Sequence, residues 1–316
     1  MNALIWRLHR SQVYLATAGL AVLAGVLLVT GVNMAHDYRT ALATCAPTQS
    51  CSDLAGQLFQ GDGLIIDLVN LTLVIPLLFG LFWGAPLVAK EFEDGTQNLV
   101  WTQGVTRRRW LGTNVAWAVL AAALWGAAMS GLVSWWRIPE DALNGRFASF
   151  DIQGLVPVAY SVCAVAVGIA VGSLFRRVLP ALAATLGVFV VLRLLVGLYV
   201  RPHLMAPLTR LVPLLNDRGG APPGAWILSS SIVGPGGHAF GQSFSLNDVP
   251  AACKLGLPDG PRASITCVAS HGFHQLITYQ PDGRFWAFQG LESAIFLALA
   301  AGAVGFAFWR VLRRDA

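Results

Sequence analysis

The stretch VLPALAATLGVFVVLRLLVGLYV, Val178–Val200, carries one charged residue, Arg193, in 23 positions. As a helix rising 1.5 Å per residue it would be about 34 Å long. A bilayer hydrocarbon core of about 30 Å needs about 20 apolar residues, so the stretch reads as a membrane span. Five further runs of the same kind are Val13–Met34, Leu64–Ala89, Leu111–Trp135, Leu155–Phe175 and Gly290–Trp309. Only 12% of the 316 residues are charged and 55% are apolar, with mean hydropathy +0.61. A soluble domain carries about 25% charged residues, and half of that cannot cover a soluble surface. The sequence therefore excludes a soluble enzyme and predicts an all-α polytopic membrane protein of six spans. The first run is too long for the apolar region of a cleavable signal peptide and reads as a permanent anchor.

Net charge is +5 and the pI is about 9.2. The basic residues sit at the ends of the apolar runs, where cations meet anionic lipid, so no nucleic-acid partner is implied. Arg7, Arg10, Lys90, Arg107, Arg108, Arg109, Arg176, Arg177, Arg310, Arg313 and Arg314 fall on one side, and the short loops of the other side hold Arg39, Arg137 and Arg146. The charge rule places both termini and the 90–110 loop in the cytoplasm. The long loop 201–289 is then extracellular, and the protein belongs in the cell membrane. The opening segment MNALIWRLHRSQ (residues 1–12) can place Leu4, Ile5 and Leu8 on one face and Arg7 and Arg10 on the other. It reads as an interfacial helix or as a ragged start to the first span.

Cys45 and Cys51 share the first external loop, and Cys253 and Cys267 share the long one. All four lie on the side where disulfides persist, and pairing within each loop gives Cys45–Cys51 and Cys253–Cys267. Cys163 reads as a packed small apolar residue. The long loop reads as a small cap resting on the outer mouth. Its first part, through Gly219-Gly220-Ala221-Pro222-Pro223-Gly224, reads as irregular. Leu276–Tyr279, Gln280–Gly283 and Arg284–Trp286 read as strand, turn and return strand. Ser229-Ser230-Ser231 reads as solvated loop.

Enzyme signatures are absent. The sequence holds no G-x-x-x-x-G-K-[ST] phosphate loop, no H-E-x-x-H and no C-x-x-C. His271 and His274 lie close in sequence, but no third metal ligand is evident. Neither a catalytic residue nor a cofactor- or metal-binding residue is assigned. Charges inside spans are costly and suggest function, which singles out Asp67, Arg193 and Glu292 at similar outer-leaflet depth. An Asp67–Arg193 or Arg193–Glu292 pair would reduce the cost of burial and could line an outer vestibule or gate. Snorkelling to the interface is the structural alternative. Gly80–Gly84 and Gly168–Gly172 are G-x-x-x-G pairs that would allow close helix packing.

Lys90-Glu91-Phe92-Glu93-Asp94-Gly95-Thr96 continues through Leu99-Val100-Trp101-Thr102-Gln103 to Arg107-Arg108-Arg109-Trp110 between the second and third spans. Three acids on the basic side are not explained by lipid. Together with exposed Leu99 and Trp101 they suggest a docking surface for another protein. This E-x-E-x-G-T pattern, with a basic entry to the third span, resembles ABC-2 type transporter permeases. With Tyr279–Gln289 and the following Glu292 it is similar to the actinobacterial branch of that family, and the resemblance covers nearly the whole chain.

It implies the permease subunit of an ABC exporter of drugs, antibiotics, peptides or lipids, as in efflux and multidrug resistance. It also implies a second permease copy, as a homodimer, and two copies of a separate ATPase that carry the ATP and Mg. Glu91, Glu93, Gly95, Thr96, Leu99 and Trp101 would form the ATPase-coupling segment. The competing readings are a membrane enzyme acting on lipid at the outer leaflet, and a sensory or assembly membrane protein.

Overall fold

The computed structural model describes residues 2–44, 63–93, 106–175, 177–214, 221–240, 249–254 and 261–313. Six helices among these are long and apolar enough to cross a membrane: Arg10–Thr40, Ile65–Glu91, Arg108–Trp136, Val156–Leu174, Val178–His203 and Asp282–Arg313, here spans 1 to 6. They match the six runs read from the sequence to within a few residues, except that span 6 begins earlier. Its helix starts at Phe285, where a return strand was expected. The first helix is continuous from Asn2 to Thr44, so residues 2–12 extend span 1 rather than forming a separate interfacial element. No Gly or Pro lies between Asn2 and Gly19 to break it.

The chain divides into two compact units. The first holds residues 1–143, 149–201 and 287–316, and span 4 is its interior helix. Nearly every residue from Val156 to Ser173 is buried. Small residues make this possible. The two G-x-x-x-G pairs face one another across spans 2 and 4. A Cβ on Gly80 would lie 2.6 Å from the Ala164 carbonyl oxygen, and one on Gly84 would lie 2.5 Å from that of Val165. A Cβ on Gly172 would lie 2.5 Å from the Ala85 carbonyl oxygen. Backbone thus meets backbone, which in lipid is the main route to tight packing.

Span 2 is not a regular helix. Pro76 has no N–H to give the Thr72 carbonyl. That carbonyl takes the Ile75 N–H instead, in a 3-10 turn at Thr72–Val74. A π turn follows at Gly80–Gly84, on the crossing itself. Span 1 packs on span 3, where Trp136 Nε1 donates to Thr30 Oγ1 at 3.0 Å and Gly31 leaves room for Trp135 and Trp136. At the other end of span 3, Thr106 caps the helix by accepting from the Arg109 N–H. Trp83, Leu111, Val165, Ile169 and Val311 join spans 2, 3, 4 and 6 in one apolar core.

The second unit holds residues 144–148 and 202–286 and corrects the all-α expectation. It contains a three-stranded sheet in the order β1-β3-β2, where β1 is Leu208–Pro213, β2 is Trp226–Val233 and β3 is His274–Gln280. Both neighbours pair antiparallel with β3. The strand expected at 276–279 is present, but of its partners β1 lies in the part read as irregular and β2 spans the serines read as solvated loop. Ser229, Ser230 and Ser231 are in β2, and Ser230 Oγ accepts from Gln275 on β3 at 2.7 Å. Residues 282–284 form a 3-10 turn into the span 6 helix. Arg146 pairs with Asp282, and Phe147 stacks on Trp226.

The Cys253–Cys267 disulfide is formed, and Cys45 and Cys51 lie outside the described residues. Cys163 is a buried free cysteine, as its place in a span suggests.

The glycine crossing makes a sharp prediction. A Cβ on Gly168 would press on the Gly80 carbonyl and lie 2.7 Å from the Ala85 nitrogen, whereas one on Gly187 meets nothing within 4 Å. Gly168→Ala should destabilise the unit by about 1–3 kcal/mol, and Gly187→Ala should be neutral or slightly stabilising. Thermal unfolding of the detergent-solubilised variants compares them.

Candidate functional site: a buried charge cluster joining four spans

Two arginines and two carboxylates meet where spans 4 and 6 begin and span 5 ends. Arg201 is the centre. Its Nε donates to Glu292 Oε2 at 2.7 Å and its Nη2 to Glu292 Oε1 at 2.8 Å. Its Nη1 donates to Asp151 Oδ2 at 3.2 Å, and its Nη2 also reaches Asp151 Oδ1. Both acids are thus gripped by one planar guanidinium, the geometry in which arginine outperforms lysine. The guanidinium lies 4.3 Å from the centre of the Phe150 ring.

Arg193 is the second cation. It lies 3.8 Å from Asp151 Oδ1, and its guanidinium sits 4.4 Å from the centre of the Tyr160 ring. Its Nη1 donates to the Leu73 carbonyl of span 2 at 2.7 Å. That carbonyl belongs to the 3-10 turn ahead of Pro76, so the distortion of span 2 occurs where span 5 binds it.

Arg193 and Arg201 share Asp151 although eight residues separate them. In an ideal α-helix that spacing offsets two side chains by about 80°. The intervening Val196–Val200 is a π turn, with the Arg201 N–H bonded to the Val196 carbonyl. A π turn holds more residues per turn and reduces that offset, aiming both arginines at one acid.

Tyr160 stands between the acids. Its hydroxyl is 2.8 Å from Asp151 Oδ1 and also within hydrogen-bond reach of Glu292 Oε1. It has one proton to donate, so it serves one carboxylate at a time, while Arg201 donates to its oxygen at 3.1 Å. Formal charges sum to zero, which is what allows a fully buried Glu292. At Asp151, burial alone would raise the carboxyl. The hydrogen bonds and charge of Arg201, with the charge of Arg193, outweigh it and hold this group below the usual carboxylate range.

Arg193 and Glu292 are both in the cluster, but they do not pair with each other. Arg201 takes Glu292, and Asp151 takes Arg193. Asp67 is exposed on span 2 and is not one of the cluster's acids. Asp151, Tyr160 and Arg201 were missed, because acids and arginines at span ends are ordinary and only the fold brings them together.

Of the residues expected to couple to an ATPase, Glu91 and Glu93 are among those described. Glu91 is half-buried, and Glu93, although exposed, accepts the Val178 N–H at 2.7 Å. The carboxylate therefore sits on the N-terminus of span 5, where the helix dipole favours it. Gly95, Thr96, Leu99 and Trp101 lie outside the described residues.

His271 and His274 each turn to a local carbonyl, of Cys267 at 2.9 Å and of Gly272 at 3.0 Å. His271 Nδ1 also lies 3.6 Å from Cys253 Sγ. Both sulfurs near it are committed to the disulfide.

Residues 17–201 match the family model described as ABC-2 membrane transporter related. The chain belongs to this family. Comparison with curated proteins and with solved structures finds no match. The matched segment of the ABC-2 permease contains spans 2 to 4, most of spans 1 and 5 and, in Arg201, its last residue, the centre of the cluster. Glu292, contributed by span 6, lies beyond it.

Breaking a buried ion pair from one side costs about 3–5 kcal/mol. Glu292→Gln should therefore lower the thermal stability of the ABC-2 permease markedly, whereas Asp67→Asn should not. The Asp151 carboxyl is depressed in the folded state, so its contribution is present above the ordinary Asp value of about 3.9 and is lost as pH falls through the lower folded value. Unfolding scans should show this contribution unchanged from pH 7 to pH 5 and declining only below about pH 4. Asp151→Asn should flatten that decline.

Proposed function

We propose that this permease is the membrane subunit of an ATP-binding cassette exporter for amphipathic molecules. In this reading the energy comes from ATP and Mg bound by a separate ATPase docked beneath the 90–110 loop. Two permease copies and two ATPase copies form the working unit, and the loop and both termini face the cytoplasm. Membership of the ABC-2 family supports the class of protein. The observation that carries the mechanism is the hydrogen bond from the Val178 N–H to Glu93.

Glu93 ends the helix of span 2 at the loop, and Val178 begins span 5. Arg201 is 23 residues along from Val178, about 34 Å at 1.5 Å per residue. One helix therefore has the coupling segment at its first turn and the charge cluster at its last. A partner that displaces the loop would pull on span 5 and load the bonds of Arg193 and Arg201. Those bonds join spans 2, 4, 5 and 6, so their rearrangement would open a path at that end. Interfaces of this kind switch between discrete arrangements rather than deform continuously.

The lipid-modifying enzyme reading needs an acid open to a substrate. Glu292 is fully buried and Asp151 is bonded to Arg201, so neither suits attack or proton transfer to a lipid.

Reconstitution with an ATP-binding cassette ATPase that co-purifies with it tests the proposal. Glu91→Lys with Glu93→Lys should reduce transport at least tenfold while ATP hydrolysis continues. Arg201→Gln should leave ATPase binding intact and abolish transport. Full transport by the purified permease without any ATPase would overturn the reading.

A further inference from the structure

A cavity of about 890 Å³ lies between span 1 and span 2, with span 3 as its floor. Gly19, Leu71, Phe79, Trp83, Pro86 and Trp125 are among its lining residues, and Gln12 is one of its few polar ones. Its cause is visible in the packing. Span 1 is held by span 3 through Trp136 and Thr30, while span 2 is drawn toward span 4 by the glycine crossing. Gln12 bridges the gap by donating to the Phe82 carbonyl at 3.1 Å. A void of this size in a membrane protein is filled by something apolar, since water there would lack partners.

The wall formed by span 2 states what that is. Its lining positions include 68, 71, 75, 79, 82 and 86, one continuous helical stripe. The next position of the stripe is Lys90, one turn beyond Pro86 and exposed. Arg10, Arg108 and Arg109, at the same end of spans 1 and 3, are exposed as well. The stripe runs about 33 Å along the helix from Lys90 to Leu68, close to the thickness of the hydrocarbon core. The groove is thus apolar along its length and cationic at its mouth.

We propose that this groove is a phospholipid site: one acyl chain lies between spans 1 and 2, and the phosphate of an anionic headgroup sits at Lys90. The occupant is a resident lipid rather than the transported molecule, and the proposal does not depend on the transport reading. The charge at Lys90 selects an anionic headgroup over a zwitterionic one, and the apolar lining accepts an acyl chain.

The test uses the full chain in maltoside micelles, with phosphatidylglycerol or phosphatidylcholine carrying 9,10-dibromostearoyl chains as the probe. Bromine quenches tryptophan at contact, and Trp83 and Trp125 line the groove. Phosphatidylglycerol should quench at about fivefold lower concentration than phosphatidylcholine, and the quenched component should vanish in the Trp83→Phe, Trp125→Phe variant. Lys90→Gln should narrow the difference between the two lipids. A Cβ on Gly19 would meet nothing within 4 Å, so Gly19→Phe should project a ring into the groove and reduce the quenching of Trp83 and Trp125 by both lipids.

Equal affinity of the wild type for the two lipids, or an unchanged preference in Lys90→Gln, would overturn the proposal. So would undiminished quenching in Gly19→Phe. If Gly19→Phe instead converts a dimer to a monomer in light scattering while lipid quenching persists, the groove is an interface between copies and the lipid assignment is wrong. Thermal unfolding of each variant, measured alongside, separates loss of the site from loss of the fold.

Discussion

Arg201 sits in a position that would be untenable without two acids. A lone guanidinium among apolar spans carries a desolvation cost of several kcal/mol. Glu292, fully buried, would be equally costly alone. Each makes the other tolerable, and the bidentate bonds between them fix the end of span 5 against the start of span 6. Asp151 and Tyr160 extend the arrangement to span 4, and Arg193 extends it to span 2 through the Leu73 carbonyl. Four of the six spans are thus registered by one electrostatic requirement, that buried charge be neutralised by geometry as well as by sign.

The interior of the first unit obeys a different constraint. No hydrophobic force drives helix against helix in lipid, so contact depends on how near two backbones can come. Spans 2 and 4 come near through Gly80, Gly84, Gly168 and Gly172. That crossing buries span 4 and draws span 2 away from span 1, and the groove between spans 1 and 2 is its consequence. The 3-10 turn of span 2 meets the charge cluster, and its π turn lies on the crossing. The two constraints meet on one irregular helix, and irregular turns of this kind frequently mark functional sites.

Span 5 carries a third relation. Its first N–H is held by Glu93 and its last turn carries Arg201. The segment proposed to meet a partner and the cluster proposed to yield are therefore the two ends of one element. Motion need not pass through a chain of side chains to connect them, because a rigid helix does so by itself.

The sequence by itself determined the membrane class, the six spans, the family and one disulfide. Each rests on a local signal: apolar length against bilayer thickness, a motif in one loop, two cysteines in one loop. It also exposed Arg193 and Glu292, because a charge within an apolar run stands out. It could not show Asp151, Tyr160 or Arg201, which are unremarked in their own surroundings and acquire meaning only from neighbours up to 141 positions away, as Asp151 and Glu292 have in one cluster through Arg201. Asp67 misled for the converse reason: its position in a span was legible, but the face it occupies was not. The strands β1 and β2 were hidden in the same way, since each is specified by pairing with distant β3 rather than by its own Pro- and Gly-flanked residues. Only the tertiary structure decided which charges meet, because neutralising a buried charge depends on distances that chain order does not encode.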